Sequence, residues 1–462
     1  MLFTTLQWVL FLLVVFVAHH LVPGRYRKWL LLGASVYFYA SWSAVYLLLI
    51  FGQLTVDWVC GQQLGKTEDD RRRKAIVAAS VAINLTTLCV FKYYGFISRN
   101  LKVFGVALPV MDLELPLGIS FYTFESMSYT IDVYRKRLRP VQSPLHLALF
   151  ITWFPHLIAG PIVRPSELIP QFDAPSAFTR QRFFHGASLM LVGYLKKLLV
   201  ADWLAQVVEP AFAQPAQCSS LELLLAVYAY AFQIYCDFSA YTDIARGASH
   251  WFGIELPENF DAPYLATSIT DFWRRWHMTL SHWLRDYLYI PLGGNRCGAL
   301  RTYFNLFATM LLGGLWHGAS WTFVVWGGLH GALLALERLL GARLSAPSSA
   351  ARAALQRVVV FHLVCFGWVF FRAQSFADAW AVLHGIAAGA FWLHPAKLLP
   401  VVGTVVIVAA YWSARPLRDR ILKFDPGPST VRQLAWVCAV GLCISVLTVA
   451  ASSTAKFVYF QF

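Results

Sequence analysis

Long stretches without a charged residue divide this chain of 462 residues and predict that it crosses a membrane several times. The five longest stretches without Asp, Glu, Lys or Arg are Met1–Gly24, Trp29–Val56, Val141–Val163, Thr302–Leu336 and Gln433–Ala455. A helix needs about 20 apolar residues to cross a bilayer, so each stretch can hold at least one crossing. Together with shorter apolar runs, they predict an all-α polytopic protein with roughly ten to thirteen membrane helices, some of them short or broken.

The composition supports this prediction and excludes an ordinary water-soluble protein. Hydrophobic residues make up 58% of the chain and charged residues 13%, whereas soluble proteins carry roughly a quarter charged residues. The N-terminal run Leu2–Val22 is interpreted as an uncleaved first span, because Met1–Gln7 lacks the basic region of a signal peptide.

The basic residues lie in short loops between apolar runs, notably Arg25–Lys28, Arg71–Lys74 and Arg135–Arg139. Loops of this kind stay in the cytoplasm, which predicts an outside N-terminus if Trp29–Leu64 forms a hairpin that turns near Ser41–Ser43. The net charge of +14 is therefore attributed to orientation and to contact with membrane lipids, and not to nucleic acid. The eight cysteines form no Cys-x-x-Cys pair, so neither a disulfide nor a metal site is predicted.

One membrane-embedded domain is expected over residues 1–462, in three parts. Residues 1–100 form an N-terminal helical group, residues 115–345 a catalytic core and residues 350–462 a C-terminal helical group, with a polar break at Gly341–Ser349. The middle part contains Pro/Gly interruptions at Pro116–Gly118 and Gly160–Pro161. Broken helices at membrane depth occur only where backbone is buried in protein or lines a cavity, so this part is predicted to contain a cavity or tunnel.

Thr302–Leu336 contains two histidines, His317 and His330. If the run is one helix, His317 lies near the middle of the membrane, where ionisable side chains are costly and usually functional. A neutral imidazole is the side chain best suited to serve as a base there. The alternative is a core histidine with a structural hydrogen bond, and this is the stronger interpretation for His330. Along one continuous helix the two histidines would lie about 20 Å apart, too far for one small site unless the chain bends.

A second candidate is the segment Asp271–Tyr287, which is rich in aromatic and basic residues. If it is one helix capped by Thr270, its apolar stripe faces one way and a polar stripe with Arg274, His277 and Arg285 faces another. The pair Asp271–Arg275 fits an i, i+4 ion pair. The segment is either an interfacial amphipathic helix or a wall of a reaction chamber whose arginines meet an anionic substrate.

A third group of candidates consists of acidic residues within apolar surroundings. Asp237 and Asp243 lie at the end of an apolar run, and Glu125 lies inside Phe121–Tyr129. They could form a proton relay, a metal pair or helix caps. Two carboxylates without histidines make a poor transition-metal site, so a structural hydrogen-bonding role is favoured and no metal is predicted.

Several segments together resemble the membrane-bound O-acyltransferase family, in particular its branch of bacterial alginate O-acetyltransferases and teichoic acid D-alanyl transfer proteins. The segments follow in order along the chain: Leu117–Glu125, Phe154–Pro161, Asp237–Ser239, Glu258–Phe260, Asp271–His277, Leu284–Ile290, Leu292–Arg296 and Leu311–Ala319.

The resemblance implies a ring of tilted transmembrane and re-entrant helices around a central tunnel. It assigns the essential histidine of the Trp-His-Gly motif to His317 and the upstream family position to His277. It also implies an acyl thioester donor on the cytoplasmic side, either acetyl-coenzyme A or an acyl carrier thioester, with no permanently bound cofactor. The expected location is the bacterial inner membrane. A partner acetyltransferase outside the cytoplasm and a polysaccharide as final acceptor are expected.

The resulting hypothesis is acetyl transfer toward an exopolysaccharide such as alginate, with His317 as general base. His277 would orient the donor or stabilise the oxyanion. Arg274, Arg275, Arg285 and Arg296, with Trp316 and Asn295, are weaker candidates for donor binding. Two alternatives remain open: a proton-coupled transporter or flippase that uses Asp237, Asp243, Glu125 and the histidines as a relay, and an acyltransferase with a lipid acceptor.

Overall fold

The computed structural model describes residues 1, 3–109, 111, 113–341, 349–392, 398–413, 415–422, 427 and 429–450. The helices of the first half are α1 (Leu6–Leu21), α2 (Gly24–Ala40), α3 (Val45–Lys66), α4 (Asp70–Leu88), α5 (Tyr94–Val103), α6 (Ile119–Tyr134), α7 (Pro144–Thr152), α8 (Pro165–Asp173) and α9 (Arg180–Tyr194). Those of the second half are α10 (Asp202–Ala213), α11 (Ser220–Trp251), α12 (Ile269–Trp273), α13 (Met278–Leu284), α14 (Ala299–His317), α15 (Trp321–Leu340), α16 (Ala350–Arg372), α17 (Phe376–Ala388), α18 (Leu398–Ser413), α19 (Arg415–Leu422) and α20 (Thr430–Ala450).

These residues contain helices and no β-strand, so the predicted all-α fold is confirmed. Six of the described helices are long and apolar enough to cross a membrane: Val45–Lys66, Asp70–Val103, Arg180–Ala213, Ser220–Trp251, Trp321–Leu340 and Ala350–Arg372. Shorter apolar helices include α1 and α17. The chain is thus a multi-pass membrane protein, while the total of ten to thirteen membrane helices stays a prediction.

The chain forms two compact units. Among the described residues, the first contains Met1–Tyr194, Ala240–Pro257 and 420–450, and the second contains Leu195–Ser239 and Glu258–Asp419. Helix α11 contributes residues to both units. These boundaries do not coincide with the predicted three-part division, which stays a prediction, and most of its polar break at Gly341–Ser349 lies outside the described residues.

The first unit begins with the hairpin that the basic loops predicted. Helices α2 and α3 are joined by the short turn Ser41–Ala44, and the N-terminal amine of Met1 donates a hydrogen bond to the Ser41 hydroxyl at 3.1 Å. Met1 therefore lies at the opposite end of α2 from the basic residues Arg25–Lys28.

A buried arginine joins the α3–α4 connection to the end of α6. The Arg73 side chain is 5% exposed, and its guanidinium donates to the carbonyls of Leu64, Thr67, Val133 and Tyr134 at distances between 2.5 and 3.3 Å. Guanidinium carries five N–H donors in a planar fork, so it can satisfy several carbonyls that a lysine could not.

Replacing Arg73 with lysine should therefore destabilise the protein, by about 3 kcal/mol, because buried carbonyls lose charge-assisted hydrogen bonds. Thermal unfolding in detergent would measure the change. Arg72→Lys is the matched control, because the neighbouring Arg72 is exposed and its replacement should leave the unfolding temperature unchanged. Equal unfolding temperatures for the two variants would contradict the role given to Arg73.

In the second unit, the expectation of one amphipathic helix over residues 270–287 is wrong. The segment forms the short helix α12, a break, α13 and a π-helical turn at Arg285–Tyr289. The break comes at His277, whose φ of 43° is left-handed and cannot continue a right-handed helix. The cap of α12 is Ser268, whose hydroxyl accepts from the Asp271 amide at 3.0 Å, and not Thr270. The predicted ion pair between Asp271 and Arg275 is confirmed, with a distance of 2.7 Å.

Candidate active site

The site is built on the hairpin of α14 and α15, both in the second unit. The long apolar run Thr302–Leu336 does not form one helix, because α14 ends at His317 and α15 begins at Trp321. Ser320 caps α15 by accepting from the Thr322 amide. His317 is therefore the last residue of a helix beside a turn, so the condition of one continuous helix, on which its expected position near the middle of the membrane depended, is not met.

Glycines allow the two helices of this hairpin to touch. A Cβ atom on Gly314 would lie 2.4 Å from the Phe323 carbonyl oxygen and 2.9 Å from the Gly327 Cα. A Cβ on Gly318 would lie 2.1 Å from the Phe323 ring. Contacts this short are not tolerated, so only glycine fits at these two positions. The backbone on both sides of His317 is thereby fixed.

Asn259 holds His277 at the break between α12 and α13. Its Oδ1 atom accepts from the Thr279 amide at 3.2 Å and the Thr279 hydroxyl at 3.0 Å, which identifies that atom as oxygen. The His277 Nδ1 atom lies 3.1 Å from the same oxygen, so Nδ1 carries the proton and Nε2 carries the lone pair.

His277 lies in the connection between α11 and α14, outside the candidate spans. Burial there lowers the pKa of His277 to about 3, because desolvation disfavours the charged ring. The His277 imidazole is therefore neutral at physiological pH.

The structure brings His277 and His317 together. Their ring centroids lie 6.4 Å apart, and both side chains are buried. Aromatic rings surround them: Phe238 lies 4.8 Å from His277, and Trp326 and Phe371 lie 5.1 and 5.2 Å from His317. The two histidines thus lie in one buried cluster of aromatic side chains within the second unit.

His330 lies closer to His317 than it would if residues 302–336 formed one straight helix. Its ring centroid is 5.0 Å from Trp326, and Trp326 in turn lies 5.1 Å from His317. One indole therefore separates the two imidazoles, because the hairpin folds α15 back along α14. From the sequence, the two histidines could lie near one site only if the chain bent between them. That bend is present.

An open cavity of about 760 Å³ lies beside the same hairpin. Its walls include Leu306, Thr309 and Met310 on one face of α14, and that face continues through Gly313 to His317 at helical spacing. On α15 the wall includes Leu334, Glu337 and Arg338. That face continues back to His330 in the same way.

Some of the candidate donor-binding residues line this cavity, and the others lie elsewhere in the structure. Arg274, Arg285 and Asn295 line the cavity, and the Asn295 Oδ1 atom accepts from the Tyr289 hydroxyl. Arg275 instead pairs with Asp271 and, at 3.5 Å, with Asp261. The described lining does not include Arg275, the exposed Arg296, or Trp316, which is buried next to His277 with ring centroids 6.2 Å apart.

Glu337 is a residue that sequence reasoning missed. Its carboxylate accepts from the amides of Ile269 and Thr270 at 2.7 and 3.2 Å, which stabilises the N-terminus of α12. It therefore positions the helix that carries Trp273 to the cavity wall. Glu337 lies 67 residues from Thr270 along the chain, so no local signal reveals the contact. Asn259 was part of a recognised segment, but nothing in the sequence connected it with His277.

The acidic candidates lie in structural pairs. Within the second unit, Asp237 forms an ion pair with Lys197 at 2.8 Å, and both side chains are 1% exposed. Within the first unit, Glu125 lies 3.0 Å from His156 and accepts from the Val163 amide at 3.1 Å. Asp237 and Asp243 are both inside α11, so the expectation that they could cap a helix is wrong.

The chain is similar to several known O-acetyltransferases. The model of the membrane-bound O-acyltransferase family matches residues 2–377. The chain is 37% identical to a probable alginate O-acetylase of Pseudomonas aeruginosa, and the alignment covers both chains completely. It is 38% identical to a probable alginate O-acetylase of Azotobacter vinelandii over 96% of each chain. It is 33% identical to a peptidoglycan O-acetyltransferase of Helicobacter pylori over 98% of this chain and 94% of that protein. The chain therefore belongs to the membrane-bound O-acyltransferase family and is an O-acyltransferase.

Proposed function

We propose that this protein takes an acetyl group from a cytoplasmic thioester and transfers it toward the O-acetylation of an exopolysaccharide. The observation that carries the proposal is the buried pair His277 and His317 at the end of the helix face that lines the cavity. A general base and an adjoining cavity for the donor are among the parts that acyl transfer requires.

In the proposed reaction His317 removes the proton from an acceptor hydroxyl as the oxygen attacks the thioester carbonyl. The new C–O bond forms, the C–S bond breaks, and the imidazolium returns the proton to the departing thiolate. No net proton is released, so the reaction does not require a proton relay through Asp237 or Glu125. A general base of this kind typically contributes 10²–10⁴-fold to the rate.

His277 is assigned to positioning. With Nδ1 bonded to Asn259, Nε2 of the neutral ring carries the lone pair and can only accept a hydrogen bond, so this tautomer orients an N–H or O–H group of a substrate and does not stabilise an oxyanion. The left-handed backbone at His277 is a conformation that costs free energy in a non-glycine residue. Its presence next to His317 supports a functional reason for that cost.

The charges around the cavity support a cytoplasmic mouth. Arg274, Arg285 and Arg338 line it, and Arg301 and Arg352 lie near the adjoining ends of α14 and α16. The opposite, hairpin end of α14 and α15 is Gly318–Trp321, which contains no charged residue. Because basic residues collect on the cytoplasmic side, the donor would enter at the arginines, which could bind its phosphates.

The basic residues of the first unit indicate which end of that unit faces the cytoplasm. The basic segments Arg25–Lys28, Arg71–Lys74 and Arg135–Arg137 lie at one end of its helices. Arg73 connects two of these segments through the Tyr134 carbonyl, and Met1 and Ser41 lie at the other end of α2. We therefore place the N-terminus outside the cytoplasm. The family resemblance places the protein in a bacterial inner membrane.

The acceptor is proposed from the relatives. Those named as probable alginate O-acetylases favour alginate or a similar polymer, and the one named as a peptidoglycan O-acetyltransferase shows that related chains serve other glycans. A partner acetyltransferase outside the cytoplasm would complete the transfer to the polymer.

Purified protein in liposomes would test the proposal. With labelled acetyl thioester supplied at the arginine side, the enzyme should consume thioester and label an acceptor on the opposite side. Movement of a solute without thioester consumption would instead identify a transporter, and label in extracted lipid would identify a lipid acceptor. Mass analysis of the polymer with and without the gene would then identify the glycan.

Replacing Asn259 with leucine should lower the rate of transfer by about 10–100-fold, because His277 loses the acceptor that fixes its tautomer and ring orientation. The Michaelis constant for the donor should change little. Steady-state kinetics of the purified variant would measure both constants. A rise in the Michaelis constant with an unchanged turnover number would contradict the role given to Asn259.

A further inference from the structure

A groove of about 300 Å³ lies between α15 and α16 of the second unit, beside the start of α12. Both long helices are candidate membrane spans. Most of the lining side chains are apolar. Leu336, Leu355 and Val359 are exposed, whereas Ile269 and Val360 are buried. Because the exposed surface of a membrane-spanning helix faces lipid, the groove is open to lipid molecules.

One end of the groove is polar and basic. Arg352, in the first turn of α16, lines this end together with Thr267 and Ser268. Glu337 also lines it and is the one acidic residue of α15 and α16. Its carboxylate already accepts from two amides at the start of α12, and Arg338 follows it in the chain. The charge at this end is therefore net positive.

The groove is as deep as one leaflet of a bilayer. Along α16 its lining extends from Arg352 to Leu363, which is about 16 Å at the rise of an α-helix. Half the thickness of a bilayer's hydrocarbon core is about 15 Å. With Leu363 near the middle of the membrane, Arg352 thus lies at the level of the headgroups. A lipid acyl chain has this length, whereas a transmembrane helix of a partner would need a groove of about twice this depth.

We propose that this groove binds one anionic phospholipid, whose acyl chain lies against the leucine and valine side chains and whose phosphate contacts Arg352. Basic pockets between transmembrane helices on the cytoplasmic side bind headgroups of this kind. The orientation proposed above places Arg352 on the cytoplasmic side, so the lipid comes from the cytoplasmic leaflet.

The groove shares a wall with the cavity beside α14 and α15. Thr267, Ser268 and Glu337 line both of them, and Glu337 holds the start of α12 through its hydrogen bonds to the Ile269 and Thr270 amides. A lipid in the groove therefore contacts the side chain that fixes α12. We expect the bound lipid to stabilise the folded protein, since a ligand that binds only the folded state raises the unfolding temperature.

Lipid binding is measured on the purified full-length protein. Wild-type protein in detergent with equal amounts of phosphatidylglycerol and phosphatidylcholine should retain the anionic lipid after gel filtration, with the two lipids quantified by mass spectrometry. A preference of about fivefold is expected from one arginine near an anionic headgroup. Added phosphatidylglycerol should raise the unfolding temperature until the site is full, whereas phosphatidylcholine should not.

Two variants and two matched controls test the site. Arg352→Gln should remove the preference for the anionic lipid, and Val359→Trp should fill the groove and remove the saturable rise in unfolding temperature. Arg301→Gln and Val358→Trp change exposed residues outside the groove lining and should keep both properties. Leu355→Trp, at another exposed lining position, repeats the test if Val359→Trp does not fold.

Equal retention of the two lipids by wild-type protein overturns the proposal. It is also overturned if Arg352→Gln and Arg301→Gln lose the preference equally, because the lipid is then attracted by the general surface charge. A dimer that Val359→Trp dissociates, detected by light scattering, would identify a second copy of the chain as the occupant instead. None of these measurements uses acetyl transfer, so their outcome does not depend on the proposed function.

Discussion

Alanine at position 317 is expected to abolish acetyl transfer while the protein still inserts and folds. His317 is the last residue of α14 and contacts Trp326 and Phe371 through its ring. Its loss removes the proposed general base, worth 10²–10⁴-fold in rate. The alanine also leaves space in a buried cluster of aromatic side chains, so a modest loss of stability is expected in addition. Acetyl incorporation into polymer and detergent-solubilised yield would be measured together.

The matched control is His384→Ala, because His384 is an exposed histidine on α17. It should retain wild-type transfer and yield. A third variant, His317→Gln, keeps a polar side chain of comparable length without a base of suitable pKa, and it should be as inactive as the alanine variant. Normal acetylation by either His317 variant would show that the base lies elsewhere.

Gly314→Ala is expected to reduce both stability and activity, although it adds only one methyl group. The new Cβ would lie 2.4 Å from the Phe323 carbonyl oxygen and 2.9 Å from Gly327, and both contacts are with backbone that cannot rotate away. Overpacking of this kind typically costs about 1–3 kcal/mol. The forced separation of α14 from α15 also displaces His317, three residues further along. A misplacement of 1 Å can cost about 100-fold in rate, so at least a tenfold loss of turnover is expected.

Gly328→Ala provides the comparison on the same hairpin. A Cβ at Gly328 would meet its nearest neighbour, a Leu311 side-chain atom, at 3.5 Å, which is ordinary van der Waals contact. This variant should match wild type in unfolding temperature and turnover. If the two glycine variants have equal unfolding temperatures and equal turnover numbers, the close packing of α14 on α15 at Gly314 is not what positions His317.

The features that sequence predicted well depend on neighbouring residues. The turn at Ser41–Ala44 lies inside the single apolar run Trp29–Val56, and it was predicted because the basic loops Arg25–Lys28 and Arg71–Lys74 fit the same side of the membrane if a hairpin lies between them. The ion pair of Asp271 with Arg275 follows from i, i+4 spacing and survives because α12 and the turn after it keep that spacing. The pairing of His277 with His317 came from the family resemblance, and the structure places the two rings together.

The features that sequence missed depend on distant contacts or on unusual backbone. Residues 270–287 have helical periodicity, but the left-handed conformation of His277 breaks the helix, and Asn259 stabilises that break from outside the segment. The distance from His330 to His317 could be predicted only on the condition of one continuous helix, because the helical periodicity continues across Gly318–Ser320 while the chain reverses there. Glu337 acts on α12 only through the tertiary fold.

Helix α11 also has a consequence for biogenesis. It contains 32 residues, 83% of its apolar window is buried inside the protein, and it contains the buried carboxyl groups Asp237 and Asp243. An aspartate near the centre of an inserting helix costs roughly 2.5–3.5 kcal/mol, so α11 is a poor substrate for the translocon by itself. Lys197, which pairs with Asp237, leaves the ribosome earlier, so the preceding helix can neutralise that charge during synthesis. We therefore expect the integration of α11 into the membrane to be a cooperative step that depends on helices already inserted.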